Sequence, residues 1–252
     1  MNRTEMRNEF VVLYNNIMSN QAPGLNDFEI SVFLTKGQDE TLKNYFNPKG
    51  NKYQEGMDDS PKRQIDFSNL ITTVSMQKQG ALVGYTKRDP RSQVFKATGE
   101  YYDNMMFITN EYAMLELGST DMEKYISVQP ISYSEYQRLM AKPYKWPVYG
   151  TAWRLINSQA KVGEVSEYFE LVCKDEIPTN SYFVEFIRKP KPIIVSDLGE
   201  HSGVSIDNEY EPMDCELDSI VHREIVQRAV ELAKAAYIGD LNAAIQMGQR
   251  SE

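Results

Sequence analysis

Tyr182-Phe183-Val184-Glu185-Phe186-Ile187 is the stretch on which the fold turns. All but Glu185 are aromatic or β-branched, and such side chains fit a pleated, half-buried surface. The run stops at Lys189-Pro190-Lys191-Pro192, because proline has no N–H to give to a strand ladder. Upstream lie similar runs at Gln93–Ala97, Met105–Thr109, Ala113–Leu117, Tyr125–Gln129, Thr151–Ile156 and Tyr168–Cys173, set apart by Gly, Pro, Asn and Asp. One helix interrupts them. Ser132 is its N-cap, Glu135 completes a capping box, and Tyr136, Leu139 and Met140 share one face. Pro143 and Pro147 close it off.

Outward from the strands, both ends read as helical. Thr4 caps a first helix carrying Met6, Phe10, Leu13, Tyr14, Ile17 and Met18, which ends before Ala22-Pro23-Gly24. Asn26 and Glu29 open a second, with Ile30, Phe33, Leu34, Leu42, Tyr45 and Phe46 on its buried face. Gly37 lies inside that helix at a cost of ~1 kcal/mol against alanine, so a backbone is expected to pack closely there. Asn47-Pro48-Lys49-Gly50 stops it, and a polar stretch 47–60 follows. Ser60-Pro61 starts a third helix, whose stripe is Ile65, Leu70, Ile71 and Val74. Beyond the strands, Asp218 caps a helix bearing Val221, Ile225, Ala229, Leu232, Ala233 and Ala236. Gly239-Asp240 then breaks it before a short tail helix, Leu241–Met247.

Helices, then strands, then helices read as α+β. The expected architecture is a helical bundle formed by the N-terminal and C-terminal helices, with an inserted antiparallel β domain. The expected divisions are an N-terminal helical region 1–78; a β-rich domain 79–213, with a short helix 132–141 and an acidic loop 197–214; and C-terminal helices 214–252 packing with the N-terminal region.

Composition bounds the function. The chain has 252 residues, 41% of them hydrophobic, enough for a sizeable core. No apolar run approaches the ~20 residues of a membrane span, and the polar start MNRTEMRNEF does not read as a secretory signal. Contact with a membrane is not expected. Cys173 and Cys215 are too few for a disulfide framework or a structural zinc site, and only His201 and His222 offer imidazole. Residues 197–252 hold 4 Lys and Arg against 12 Asp and Glu, and so carry most of the net charge of -9. Such a segment repels phosphate backbones, which argues against sequence-specific DNA binding there. Its plainest reading is a solvated loop.

The motifs of common enzymes are missing: no phosphate-binding P-loop, no dinucleotide Gly-x-Gly-x-x-Gly, no Gly-x-Ser-x-Gly and no His-Glu-x-x-His. His222 and Glu224 stand two apart on a helix and do not face each other. Asp207, Glu209 and Glu211, continued by Asp214, Glu216 and Asp218, alternate like oxygen ligands but lack the glycine and closing glutamate of a calcium loop. Acids flank both cysteines and raise a thiol pKa, so neither reads as a nucleophile. No catalytic residue, cofactor or metal is expected. Sixteen Tyr and ten Phe invite a stacking platform for single strands, but they alternate within strands as a β core and an interface require. Local positive charge beside aromatics is confined to Lys142, Lys145, Arg188, Lys189 and Lys191. Tyr144, Trp146, Arg188, Lys189 and His222 are therefore candidate contacts with a protein partner.

Two stretches resemble a known family. Glu29-Ile30-Ser31-Val32-Phe33-Leu34-Thr35-Lys36-Gly37-Gln38, running on to Phe46 and then Arg63…Leu70, is similar to the Glu-Ile-x-x-Phe-Leu-x-x-Ala-Gln opening of neck proteins in tailed phages, particularly crAss-like phages. Phe186-Ile187-Arg188-Lys189-Pro190, then Cys215-Glu216-Leu217, His222-Arg223-Glu224-Ile225-Val226 and Ala229-Val230, resemble the ending of the same proteins. Gly37 stands where that pattern has alanine, and Asp218 where proline is common. The resemblance implies a ring (head-to-tail adaptor) subunit of the virion, made in the bacterial cytoplasm, in about twelve copies around the portal axis. It implies the portal and neighbouring neck or tail proteins as partners, a channel for the passing genome, and no catalysis. A pore must not grip DNA, so Asp207, Glu209, Glu211, Asp214 and Glu216 are candidate channel-facing acids. The alternatives are a tail-tube or baseplate protein, a small carboxylate enzyme, or a host protein-binding module.

Overall fold

The computed structural model describes residues 1–18, 24–46, 61–80, 87, 89–96, 104–116, 123–147, 150–158, 167–174, 176–199 and 204–238. The expected tail helix Leu241–Met247, the polar stretch 47–60 with Ser60, and the turn at Ala22-Pro23 lie outside these residues. The chain forms two compact units, one from residues 1–70 and 190–252, the other from 71–189.

The first unit holds α1 (Arg3–Met18), α2 (Asp27–Phe46), α3 (Pro61–Asp66) and, late in the chain, a helix His222–Ile238 that becomes α5. Two capping boxes start the first two helices. Asn26 accepts from the Glu29 N–H at 2.8 Å, and Glu29 accepts from the Asn26 N–H at 2.9 Å. The same exchange joins Asn2 and Glu5, so Asn2, not Thr4, caps α1. The α5 helix packs on α1 and α2. Gly37 is the closest approach: a Cβ there would lie 2.8 Å from the Ile225 carbonyl oxygen and 3.0 Å from the Ala229 nitrogen. The close backbone expected at this glycine is that of α5.

The second unit is a closed barrel. Its strands are β1 (Ile71–Gln79), β2 (Gln93–Lys96), β3 (Met105–Glu116), β4 (Glu123–Pro130), β5 (Thr151–Ser158), β6 (Glu167–Val172) and β7 (Tyr182–Arg188), in the order β1-β2-β6-β5-β4-β3-β7. β7 returns to β1, with Thr72 opposite Phe186 and Val74 opposite Val184, and so closes the ring of strands. Phe95, Ala113, Leu115, Ile126, Phe169, Leu171, Tyr182 and Phe186 fill the interior. Between β4 and β5 lies α4 (Tyr133–Met140), with Ser132 accepting from the Glu135 N–H. On the outer wall, Tyr136 of α4 packs with Trp153, Leu155 and Val172.

This overturns the expected helical bundle with an antiparallel insert. The strands close on themselves as a seven-stranded barrel instead of forming an antiparallel insert, and β4 and β5 run parallel, with Val128 opposite Ala152. The physical reason is the link between them. A strand–helix–strand connection of that length is a crossover, which returns the chain in the same direction, whereas antiparallel neighbours need only a hairpin. The expected runs Met105–Thr109 and Ala113–Leu117 are one strand, β3, and β1 comes from residues assigned above to the third helix. Ile71, Thr72, Thr73 and Val74 are β-branched in succession, and pairing with β7 decides between helix and strand.

The first unit also departs from a plain bundle. Residues 190–199 lie extended along α2, held by that helix's buried polar face. Gln38 donates to the Lys191 carbonyl at 2.9 Å, while Thr35 and Ser31 hydroxyls accept from the N–H groups of Ile193 and Val195. Ile194 and Met213 pair as an antiparallel bridge. Ile194, Leu198 and Ile206 pack with Phe28 and Val32 of α2. The described part of the acidic segment is a strap anchored by the buried Leu198 and Ile206, with Asp197, Asp207, Glu211 and Asp214 exposed.

Candidate assembly surfaces

On the barrel unit a cleft of about 860 Å³ opens among β1, β2, β6 and the turn at Pro143–Lys145. Among the described residues, Lys78, Lys87, Arg91 and Lys174 line it, against one carboxylate, Glu176. Tyr144 at its rim is 96% exposed. The Arg91 guanidinium lies 3.7 Å from the centre of the Trp146 ring, a stacked cation–π geometry. Beneath, the buried Asp89 carboxylate accepts from the Arg91 backbone N–H at 2.8 Å and the Tyr136 hydroxyl at 2.8 Å. Burial alone would raise the Asp89 carboxyl, but these hydrogen bonds and the guanidinium hold it below its ordinary value. Burial, reinforced by Asp89, pushes the Tyr136 hydroxyl well up. The Arg91 guanidinium, 3.3 Å from Asp89 and stacked on Trp146, is oriented by both while its side chain stays 59% exposed. Lys78 is oriented by Glu176 and the Ile177 carbonyl, both at 2.8 Å.

Inside the barrel sits a second charged group. Arg154 lies 2.8 Å from Glu111, and their side chains are 5% and 3% exposed. The Tyr182 hydroxyl donates to Glu111 at 2.7 Å. Burial drives the Glu111 carboxyl up and outweighs the attraction of Arg154. A small pocket of about 310 Å³ between Pro130–Tyr133 and Arg154 reaches the edge of this trio, but Glu111 and Tyr182 do not line it, and the trio reads as part of the core. Sequence reasoning missed both groups. The available signal was alternation: Glu111 stands two before the inward Ala113, and Arg154 two after the inward Ala152.

The five acids proposed above as channel-facing fall in different settings. Asp207 is exposed and Glu209 half-buried, both on a tight turn bridged between Ile206 and Glu209. Glu211 is exposed. Asp214 is exposed and accepts from the Arg3 N–H at 2.7 Å. Glu216 is half-buried and accepts from the Lys191 N–H at 2.9 Å. No group of acids, cysteines and histidines able to hold a metal is formed among the described residues.

The candidate contact residues also separate. Tyr144 and Trp146 belong to the cleft. Arg188 and Lys189 are half-buried at the end of β7, where the Lys189 N–H donates to the Asn104 carbonyl. His222 is buried at the start of α5, its Nε2 2.9 Å from the Leu217 carbonyl oxygen. Cys173 is buried in the barrel core, and burial pushes the Cys215 thiol up to about 11. No helix among the described residues is long and apolar enough to cross a membrane.

The described surface thus carries charge and exposed aromatics on both units. Comparison with known proteins names the class. The chain belongs to the phage tail ring protein 3/4 family, which it matches over residues 1–244. It is 47% identical to ring protein 4/5 of Bacteroides phage crAss001 across the full length of both chains. It is also 28% identical to ring protein 3 of the same phage, over 92% of this chain and 95% of that one. The crAss-like ring-protein resemblance read from the two ends of the sequence is therefore correct, and the protein is a structural ring protein of a tailed phage.

Proposed function

We propose that this ring protein is a non-enzymatic adaptor subunit of the connector between portal and tail. About twelve copies close around the axis and enclose the channel through which the genome leaves. The full-length match to virion ring proteins carries this reading. The charge distribution supports it. Residues 1–70 and 190–252 hold 13 Lys and Arg against 22 Asp and Glu, while 71–189 hold 14 of each. The first unit thus carries the whole net charge of -9, and a negative wall keeps a passing DNA backbone from sticking. In this reading Glu211 and Asp214, two exposed acids of the strap outside its tight turn, face the genome. Contact with DNA is then brief and independent of sequence.

The word tail in the family description favours a second position, further along the tube. Imaging of disrupted virions, with the chain located by mass spectrometry of the separated pieces, tests both. A ring of about twelvefold symmetry beside the portal is the expected result. Sixfold or threefold assemblies along the tail would move the protein to the tube or baseplate. Absence from virions would overturn both readings.

A further inference from the structure

On the first unit, Ile206 and Glu209 exchange backbone hydrogen bonds of 3.1 and 2.9 Å around Asp207 and Asn208. Both central residues have positive φ, 52° and 65°, the backbone of a two-residue primed turn, which Asp and Asn tolerate better than most residues. The turn is anchored by Ile206, which packs with Ile194 and Leu198. Asp207 is therefore held exposed at a fixed tip, with Glu209 beside it and Tyr210, 47% exposed, next along the chain. A tip ordered in advance loses little conformational entropy when it docks.

On the barrel unit, the cleft offers the opposite charge. Four cations, Lys78, Lys87, Arg91 and Lys174, outnumber Glu176 in its lining and Asp89 beneath Arg91. Tyr144 and Trp146 add an exposed aromatic rim beside the oriented guanidinium, and tyrosine, tryptophan and arginine are the residues that dominate interface energetics.

We infer that the acidic turn Ile206–Glu209 of one copy seats in the basic cleft of the next copy. Asp207 and Glu209 meet the cleft cations, and Tyr210 meets Tyr144 and Trp146. This rests on the ring reading, because a ring closes through a contact in which one face of a subunit meets a different face of its neighbour. The turn and the cleft, on different units of one chain, make such a pair. Their charges also favour a second copy as occupant, since the unit that bears the turn holds the entire excess of acid and the barrel unit has none. The contact is side-chain and charge-led, so salt weakens it.

Carbodiimide treatment of intact virions tests the seat, since this reagent joins a carboxylate to an amine only where the two touch. The expected result is a ladder of multimers of this chain. Amide links from Asp207 or Glu209 to Lys78, Lys87 or Lys174 should occur in the multimer bands, and those links should be lost in virions carrying Asp207→Asn with Glu209→Gln. Asn keeps the turn's backbone, so loss of the links is not loss of the turn. If the chain is present in virions but these acids link to another protein, link only within the monomer band or do not link, the seat is overturned and the ring reading stands. If the chain is absent from virions, the ring reading falls and the seat with it.

Discussion

Replacing Glu111 by leucine should destabilise the barrel by about 3–5 kcal/mol, because it strands a buried guanidinium. Arg154 has Glu111 at 2.8 Å, with 5% and 3% of the two side chains exposed. Among the described residues its Nε and Nη1 atoms have no hydrogen-bond partner, and the Phe169 ring lies 5.3 Å from the guanidinium carbon. Loss of Glu111 also removes the acceptor of the Tyr182 hydroxyl, itself wholly buried. The outcome reverses when all three polar groups go together. Burial already outweighs the pull of Arg154 on the Glu111 carboxyl, so the ionised pair is not a net gain over an apolar core. Glu111→Leu with Arg154→Met and Tyr182→Phe should fall within about 1–2 kcal/mol of the parent. Urea unfolding followed by tryptophan fluorescence reads this unit alone, because both tryptophans, Trp146 and Trp153, lie in it. With a slope of about 2 kcal/mol per molar urea, the single change should lower the midpoint by roughly 1.5–2.5 M. The sign with pH follows from the same group. A carboxyl raised in the folded state contributes stability that is present below its ordinary value and lost as pH rises through the folded value. A single variant as stable as the parent, or a triple as damaged as the single, would refute the reasoning.

Gly37→Ala should cost about 1–3 kcal/mol and lower the melting temperature of the first unit, since the new Cβ meets the α5 backbone at 2.8 Å and a backbone cannot turn aside as a side-chain end does. Asp89 is depressed in the folded state, so its contribution is present above the ordinary carboxylate value and is lost as pH falls through the folded one. Tyr136→Phe removes one of the bonds that depress it and should begin that loss at higher pH, read from acid unfolding curves. Cys215, with its thiol near 11 from burial, should label slowly with a thiol reagent at pH 8 in the folded protein and rapidly in urea; fast labelling of the native chain would contradict the packing of the strap on α2.

The helices at both ends were legible because their signals are local. Capping boxes and 3.6-residue spacing lie within one turn of chain, and Asn26 with Glu29 or Ser132 with Glu135 need nothing from afar. The strands were legible one by one, from β-branched and aromatic runs. Closure was not, because the partner of β1 lies about a hundred residues away in β7, and nothing within Ile71–Gln79 names it. That segment sits just after a proline-started helix and shares its apolar spacing, so local pattern favoured continuing the helix. The parallel pair had a local clue that went unused: a capped helix between two strands is the mark of a crossover. The anchoring of the acidic segment was not legible for a different reason. Counting charge hid Ile193, Ile194, Leu198 and Ile206, whose burial orders the strap. Of the candidate contacts, Tyr144 and Trp146 were reachable as aromatics beside lysines. Arg91 was not, since its partners Asp89 and Trp146 come together only through the fold.

Closure of the barrel also constrains how copies meet. A sheet with a free edge offers a row of unpaired N–H and C=O groups and invites a neighbour's strand. Here β7 returns to β1, so the described strands present no such edge. Association through the barrel unit would then use side chains on its outer wall and its loops rather than strand pairing. That suits a ring of fixed copy number, because strand addition tends toward open, unlimited stacking, while a shaped cleft and a matching tip set one angle between neighbours. The same logic accounts for Asp89 and Trp146 on either side of Arg91. A contact that sets an angle gains from a charge placed before a partner arrives, and the stacking of the Arg91 guanidinium on Trp146, with Asp89 3.3 Å away, restricts that charge in advance.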